Sequence, residues 1–394
     1  MAIRFIHAAD LHLGYQQYNH PERYNDFGRA FERLVDDALA REVDFVLLAG
    51  DLFHKRTIEP RTLLQASYQL HRLHRAGIPV FAVEGNHDRA HYSEALSWLG
   101  YLAEEDLLFL LDIFYQDGKP HLIPWNPEAK AGSYVDLPAG IRILGLKYYG
   151  ASTPRVVRDL AQALANITPA PYTILMMHAG LEGILDYYAG TLSRAQLEEL
   201  RPYVNYLALG HIHKPFTQDD WIYNPGSLET YSITEANWPE RGYFVVEVDI
   251  SQGTHQVSQI CPPRRPFLIL SFPVDRLESP ETLYRALKSY LEEQASKNTW
   301  TQPPVIELRL TGILAFEHAD LDLSQIKLLV EEALHPLLCN VKDTSSANTF
   351  EVRVSHMANR QEIERCVLQE LLERDARYQA QSAHWARAAL RLKE

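Results

Sequence analysis

Ile3-Arg4-Phe5-Ile6-His7-Ala8-Ala9-Asp10-Leu11-His12 sets a short apolar run directly against two side chains of metal-binding type. The arrangement recurs down the chain. Apolar runs at 43–49, 80–83, 174–177 and 206–209 read as buried strands. They lead into Gly50-Asp51-Leu52-Phe53-His54, Gly85-Asn86-His87-Asp88, His178 and Gly210-His211-Ile212-His213. Between the first runs, 27–39 and 63–73 carry apolar residues at helical spacing and read as helices packed on a sheet. Strands alternating with helices argue an α/β (α+β) layered sandwich. Ligands of such sheets gather where strand carboxyl ends meet in one crevice, so the motifs point to one shared site.

The residue types select the chemistry. Imidazole nitrogen mixed with carboxylate and amide oxygen suits divalent ions such as Mn²⁺, Fe²⁺ or Zn²⁺, and the missing thiolates speak against a structural zinc site. In Asp10-x-His12 and His211-x-His213, alternate residues of an extended segment point to one side. Asp10, His12, Asp51, Asn86, His178, His211 and His213 are too many ligands for one ion and suit two, with Asp51 bridging. A metal pair of this kind clamps the attacking and leaving oxygens of a phosphoryl displacement. Taken singly, His178, Asp-x-His and His-x-His read as readily as core or surface residues. Gly-Asn-His-Asp is specific, and the joint order carries the reading. His7, His20, His71, His74 and His121 fit no such spacing and read as structural or solvated.

The chain has 394 residues, enough for two or three domains, and is 46% hydrophobic and 23% charged, as globular proteins are. No apolar run approaches the roughly 20 residues of a membrane helix, and the N-terminus lacks a secretory core, so a reducing cytoplasm is expected. Cys261, Cys339 and Cys366 are far apart and read as small buried hydrophobes. The net charge of −13 argues for weak binding to a polyanion by this chain alone. Bound metals or a partner with a basic surface would resolve the conflict.

Segments 243–250 and 255–260 read as a hairpin closing the first domain. Cys261-Pro262-Pro263-Arg264-Arg265-Pro266 is the stiff break after it, which gives domains at 1–262, 263–356 and 357–394. The middle domain reads strand 267–272, helix 281–294, strand 305–310, helix 323–334, then strands near Val341 and Phe350: a smaller α+β unit. Beyond it Ile363, Val367, Leu368, Leu371 and Leu372 form a helical stripe, with Trp385 further on, open to core docking or to a partner.

The motif set resembles the calcineurin-like metallophosphoesterase superfamily and, more narrowly, the SbcD family of DNA repair nucleases. His12-Leu13-Gly14-Tyr15, Asn224-Pro225-Gly226-Ser227 and Arg241-Gly242-Tyr243-Phe244 support the likeness. Leu52-Phe53-His54 stands where the superfamily's protein phosphatases carry Val-Asp-Arg-Gly. The resemblance implies that Asp10, His12, Asp51 and His213 hold one metal, and Asp51, Asn86, His178 and His211 the other. It implies that His87 stabilises charge or protonates the leaving oxygen, that Asp88 fixes its orientation and that His54 lies against the scissile phosphate. It further implies a manganese-dependent 3′-to-5′ exonuclease and single-strand or hairpin endonuclease. Such an enzyme works as a homodimer with an ABC-type, SMC-like (SbcC-like) ATPase. Its middle domain would cap DNA and its C-terminal helices would bind the ATPase. Tyr15, Lys55, Arg56, Arg89 and Lys214 lie beside the motifs and would reach the DNA backbone, or are ordinary surface residues. Two other functions compete: a small-molecule phosphodiesterase or phosphatase on the same scaffold, and a non-enzymatic scaffold, which would show eroded ligands.

Overall fold

The apolar runs form strands at the expected places in a computed structural model that describes residues 3–91, 94–185, 190–347, 360–374 and 378–391. Ile3–Ala8 (β1) is followed by helix Pro21–Ala40 (α1), Phe45–Leu48 (β2), helix Pro60–Arg75 (α2), Val80–Ala82 (β3) and Phe109–Leu110 (β4). These strands pair in parallel. Tyr134–Asp136 (β5), Ile141–Leu146 (β6), helix Thr153–Leu164 (α3), Tyr172–His178 (β7), Tyr206–Gly210 (β8), Phe216–Gln218 (β9) and Ile222–Asn224 (β10) come next. The predicted hairpin, Tyr243–Asp249 (β11) and Thr254–Ile260 (β12), returns to pair antiparallel with β1. Two six-stranded sheets result, in the orders β12-β11-β1-β2-β3-β4 and β9-β10-β8-β7-β6-β5.

The period-two pattern of the strands explains the layering. Phe5, Phe45, Leu47, Phe81, Ile174, Met176, Tyr206, Ala208, Phe244 and Val246 fill the space between the sheets. Their neighbours face outward: Ile6, Ala8, Val46 and Leu48 meet Phe31, Leu34 and Val35 of α1 and Leu70 and Leu73 of α2. Leu144, Leu175, Met177 and Leu207 meet Val157, Leu160 and Leu164 of α3. Both faces of each central sheet are thus covered, which is why its strands read as unbroken apolar runs. His20, one of the histidines outside the motifs, caps α1 by accepting from the Glu22 amide at 3.1 Å, with Pro21 in the first turn.

The chain divides into two compact units, Met1–Ile269 with Trp300–Val305, and Leu270–Thr299 with Ile306–Glu394. The second contains all but the first residues of Phe267–Pro273 (β13) and Val305–Thr311 (β14), which form a three-stranded sheet with Leu338–Asp343 (β15), and helices Pro280–Lys297 (α4) and Leu323–Leu334 (α5). Leu283, Leu287 and Leu291 of α4 and Ile326, Val330 and Leu334 of α5 are buried at helical spacing. The strand expected near Phe350 lies outside the described residues. Helices Arg360–Arg374 (α6) and Ser382–Arg391 (α7) pack on each other.

The cysteines correct the sequence reading: Cys261 is exposed, Cys339 and Cys366 are half-buried, and all three are free thiols. Cys261 falls where the hairpin ends and the proline-rich break begins, outside any core. No described helix is long and apolar enough to cross a membrane.

Candidate metal centre

The parallel register of β1, β2 and β3 and of β7 and β8 brings their carboxyl ends together. Asp10 and His12 follow β1, Asp51 and His54 follow β2, and Asn86, His87 and Asp88 follow β3; His178 ends β7, and His211 and His213 follow β8. The backbone is left-handed at Asp10 (φ 54°), His12 (φ 49°), Asp51 (φ 53°) and His211 (φ 88°). Such conformations cost on the order of 1–3 kcal/mol each and persist where the surroundings impose them. Here Asp10 N donates to the Gly50 carbonyl at 3.0 Å, His12 N to the Asp51 carbonyl at 3.0 Å, and His211 N to the Asp10 carboxylate at 2.9 Å. Gly50, also left-handed at φ 91°, touches the His178 ring, which a Cβ would overlap, and a Cβ at Gly85 would overlap the Asp51 carboxylate.

The side chains converge on one another. His178 Nδ1 donates to the Ala49 carbonyl at 2.8 Å, which turns Nε2 toward Asn86 Oδ1 at 3.2 Å and Asp51 Oδ2 at 3.4 Å. His211 Nδ1 lies 3.0 Å from the same Asn86 oxygen. His213 Nδ1 donates to Glu235 Oε1 at 2.8 Å, and its Nε2 faces His12 Nε2 at 3.0 Å and Asp10 Oδ1 at 3.9 Å. The Asp10–His12–His213 and Asp10–Asp51–His178 groups each bring their donor atoms close enough to share an ion.

Burial dominates the electrostatics. It pushes the Asp10 carboxyl up to about 6 and holds His12 well below the ordinary imidazole value. Burial opposes charge on His178 and Asp51 as well, but each outweighs it for the other: His178 rises to about 9 and Asp51 falls below the usual carboxylate range.

His12 Nε2 meets another imidazole nitrogen, His213 Nε2, at 3.0 Å, with the Asp51 and Asp10 carboxylates about 4 Å from the pair. A divalent cation satisfies such a set, so the residues present fit the metal pair. The calcineurin-like phosphoesterase family uses divalent metals.

Beside these donors, His87 and His54 stack at 5.4 Å with rings 22° apart, and His54 stacks on Tyr15 at 4.0 Å. Burial and the nearby His87 push His54 down to about 4, so it is neutral at pH 7. One geometric expectation is corrected. The His87 ring is held by the His54 carbonyl, 2.6 Å from Nδ1, and not by Asp88. The Asp88 carboxylate instead accepts from the amides of Phe53 (2.9 Å), Gly85 (3.0 Å) and Leu52 (3.2 Å), tying the second motif to the third. Burial and Asp51 push its carboxyl up to about 7. Sequence reasoning missed Glu235 and Tyr231, whose ring lies 4.7 Å from both His12 and His213. A glutamate in a short helical turn, Ile233–Asn237, carries no motif that marks it. His7 is structural, between the Tyr206 hydroxyl and the Leu209 carbonyl, each at 3.0 Å.

A layered α/β sandwich with Asp, Asn and His donors at its strand ends defines a metal-dependent phosphoesterase class. Residues 3–215 match the calcineurin-like phosphoesterase family, and the chain belongs to it. It is 33% identical over 243 residues to the DNA double-strand break repair protein Mre11 of Archaeoglobus fulgidus, covering 60% of this chain and 52% of that protein. It is 32% identical over 301 residues to the Mre11 protein of Haloferax volcanii, covering 74% and 59%. To that of Aeropyrum pernix it is 28% identical over 313 residues, covering 76% and 71%. The chain spans about half the length of the first of these relatives.

Proposed function

We propose that this chain is a two-metal, manganese-dependent DNA nuclease of double-strand-break repair. The observation that carries the reading is the convergence of Asp10, His12, Asp51, His178 and His213, with Asn86 and His211 joined to them through the Asn86 oxygen, beside the stacked His87 and His54 rings. In it, Asp10, His12, Asp51 and His213 hold one metal and Asp51, Asn86, His178 and His211 the other. When bound, such a pair lowers the pKa of water and neutralises charge on phosphoryl oxygens. His87, fixed through Nδ1 by the His54 carbonyl, stabilises charge on the leaving oxygen or protonates it. His54, a neutral imidazole, lies against the scissile phosphate. Asp88 keeps the loops of His54 and His87 in register through the amides it accepts from.

DNA as the substrate rests on the likeness to proteins named for double-strand-break repair. Lys55 and Arg89 are exposed and make no ion pair among the described residues, which suits phosphate contact; Tyr15, Arg56 and Lys214 are half-buried beside them. Exonuclease action from 3′ to 5′ and endonuclease action on single strands and hairpins belong to the same reading, as do a cytoplasmic location and a capping role for 263–356. With a net charge of −13, an SMC-like ATPase would supply the basic surface. The C-terminal helices, with Ile363 40%, Leu371 51% and Trp385 44% exposed, are where it would dock. Leu64 and Tyr68, one turn apart on α2 and 69% and 60% exposed, offer an apolar surface for a second copy.

The test is hydrolysis of linear duplex DNA, hairpin DNA and a small aryl phosphodiester by the full chain, with Mn²⁺, Mg²⁺ or EDTA. Manganese-dependent DNA cleavage, abolished by EDTA, is expected. Rapid turnover of the small ester with DNA untouched, even with the ATPase added, would replace this reading with a small-substrate phosphodiesterase.

A further inference from the structure

The two proposed metal positions are built differently behind their histidines. His178 is oriented by a neutral group, the Ala49 carbonyl. His213 is oriented by a carboxylate, Glu235, which is only 5% exposed. Glu235 is itself clamped: its Oε2 accepts from Arg241 at 2.6 Å and from the Tyr231 amide at 2.8 Å. Arg241, fully buried, also donates to Ser227 Oγ at 2.7 Å and to the Glu235 carbonyl at 3.0 Å. With Oε2 committed to two donors, Oε1 is left to accept from His213 Nδ1. The lone pair of His213 then sits on Nε2, facing Asp10 and His12. A carboxylate behind a ligating imidazole fixes its tautomer and raises its basicity.

Charge points the same way. In that assignment the position of His213 takes the carboxylates of Asp10 and Asp51, with Glu235 one hydrogen bond behind, whereas the other takes Asp51 and the neutral amide of Asn86, with Asp10 also within reach of His178.

We propose that Glu235 is a positioning residue that makes the Asp10–His12–His213 position the tighter of the two, so that it fills first. The inference rests on the ligand assignment of the preceding section. Glu235→Gln is its sharpest probe. Arg241 and the Tyr231 amide still demand an acceptor, so the glutamine turns its oxygen to them and its NH₂ to His213 Nδ1. That moves the ring proton to Nε2 and withdraws the lone pair from the metal, with almost no change in shape.

The experiment is an Mn²⁺ titration of the EDTA-stripped full chain, with free Mn²⁺ followed by electron paramagnetic resonance. Wild type takes up two equivalents. In Glu235→Gln the tighter equivalent weakens by about 10–100-fold and the weaker one is unchanged. Both affinities unchanged in a folded Glu235→Gln, or weakening confined to the second equivalent, would overturn the proposal. A His12→Ala background checks the position: its remaining equivalent is the weak one and does not respond to Glu235→Gln, and a response would also overturn it. If Glu235→Gln does not fold, Glu235→Met with Arg241→Met removes both buried charges together, and the same loss at the tighter equivalent is expected. A wild-type chain that takes up no Mn²⁺ would sink the metal-site reading itself, a result distinct from any of these.

Discussion

β7 and β8 begin and end in clusters of rings, and the two ends behave in opposite ways. At their start, Tyr172 and Tyr223 hydroxyls lie 2.7 and 2.8 Å from the two nitrogens of His255, and the Tyr206 hydroxyl lies 3.0 Å from His7. Every nitrogen of these two rings meets a hydroxyl or a carbonyl, His7 Nε2 reaching up β8 to Leu209. At their finish, His178, His211 and His213 turn nitrogens toward Asn86, Asp51, Asp10 and another imidazole, on a backbone that is left-handed at Asp10, His12, Asp51 and His211. Histidine content does not separate a reactive site from a polar core. The partners that the ring nitrogens meet do.

Substitutions sharpen this contrast, beginning with the largest effect. His87→Ala should lower DNA hydrolysis by about 10²–10⁴-fold, the usual contribution of a positioned acid or base, while Mn²⁺ uptake is kept. Normal turnover in that variant would remove His87 from the chemistry. Gly85→Ala should cost about 1–3 kcal/mol in urea unfolding, because the new methyl must displace the Asp51 carboxylate or the strand end. It should weaken Mn²⁺ binding as well; unchanged affinity would mean that Asp51 does not touch the metals.

The quiet end gives two smaller effects. Burial pushes His7 down to about 3 from its ordinary 6.5. Between those values the unfolded chain holds a proton that the folded chain refuses. This contribution to stability is therefore complete above pH 6.5 and lost on acidification, by about 1.4 kcal/mol per pH unit. Urea midpoints at pH 7 and 5.5 should fall less for His7→Gln than for wild type, and equal falls would mean that the ring titrates normally. Tyr223→Phe, deleting one hydroxyl against His255, should cost about 1 kcal/mol and leave Mn²⁺ affinity and hydrolysis alone. A change in either would join the two ends of the sheet energetically.

Much of this was legible in the sequence, for a physical reason. Central strands covered on both faces must be apolar throughout, so runs such as 43–49 and 174–177 announce themselves, and the residues that end them stand at the crevice. The ligand types followed from adjacency to those runs. Glu235 did not, since it reaches His213 from a turn 22 residues on that follows no apolar run, where one acid among many has no pattern. The role of Asp88 was misread for a related reason. Its neighbour in sequence is His87, but its hydrogen bonds go to the backbone of Leu52, Phe53 and Gly85. Whether the stripe at 363–372 docks in a core was also beyond periodicity, which reports an apolar face and not what covers it.

The left-handed backbone at Asp10, His12, Asp51 and His211 also limits what these positions can become by single substitutions. Apart from glycine, that region is most readily entered by asparagine, aspartate and histidine. A descendant of this chain can therefore exchange one oxygen or nitrogen ligand for another at little conformational cost. Cysteine gains no such ease, and valine or isoleucine meets a steric barrier. Drift at these positions favours the same hard-to-borderline ions over a thiolate zinc site.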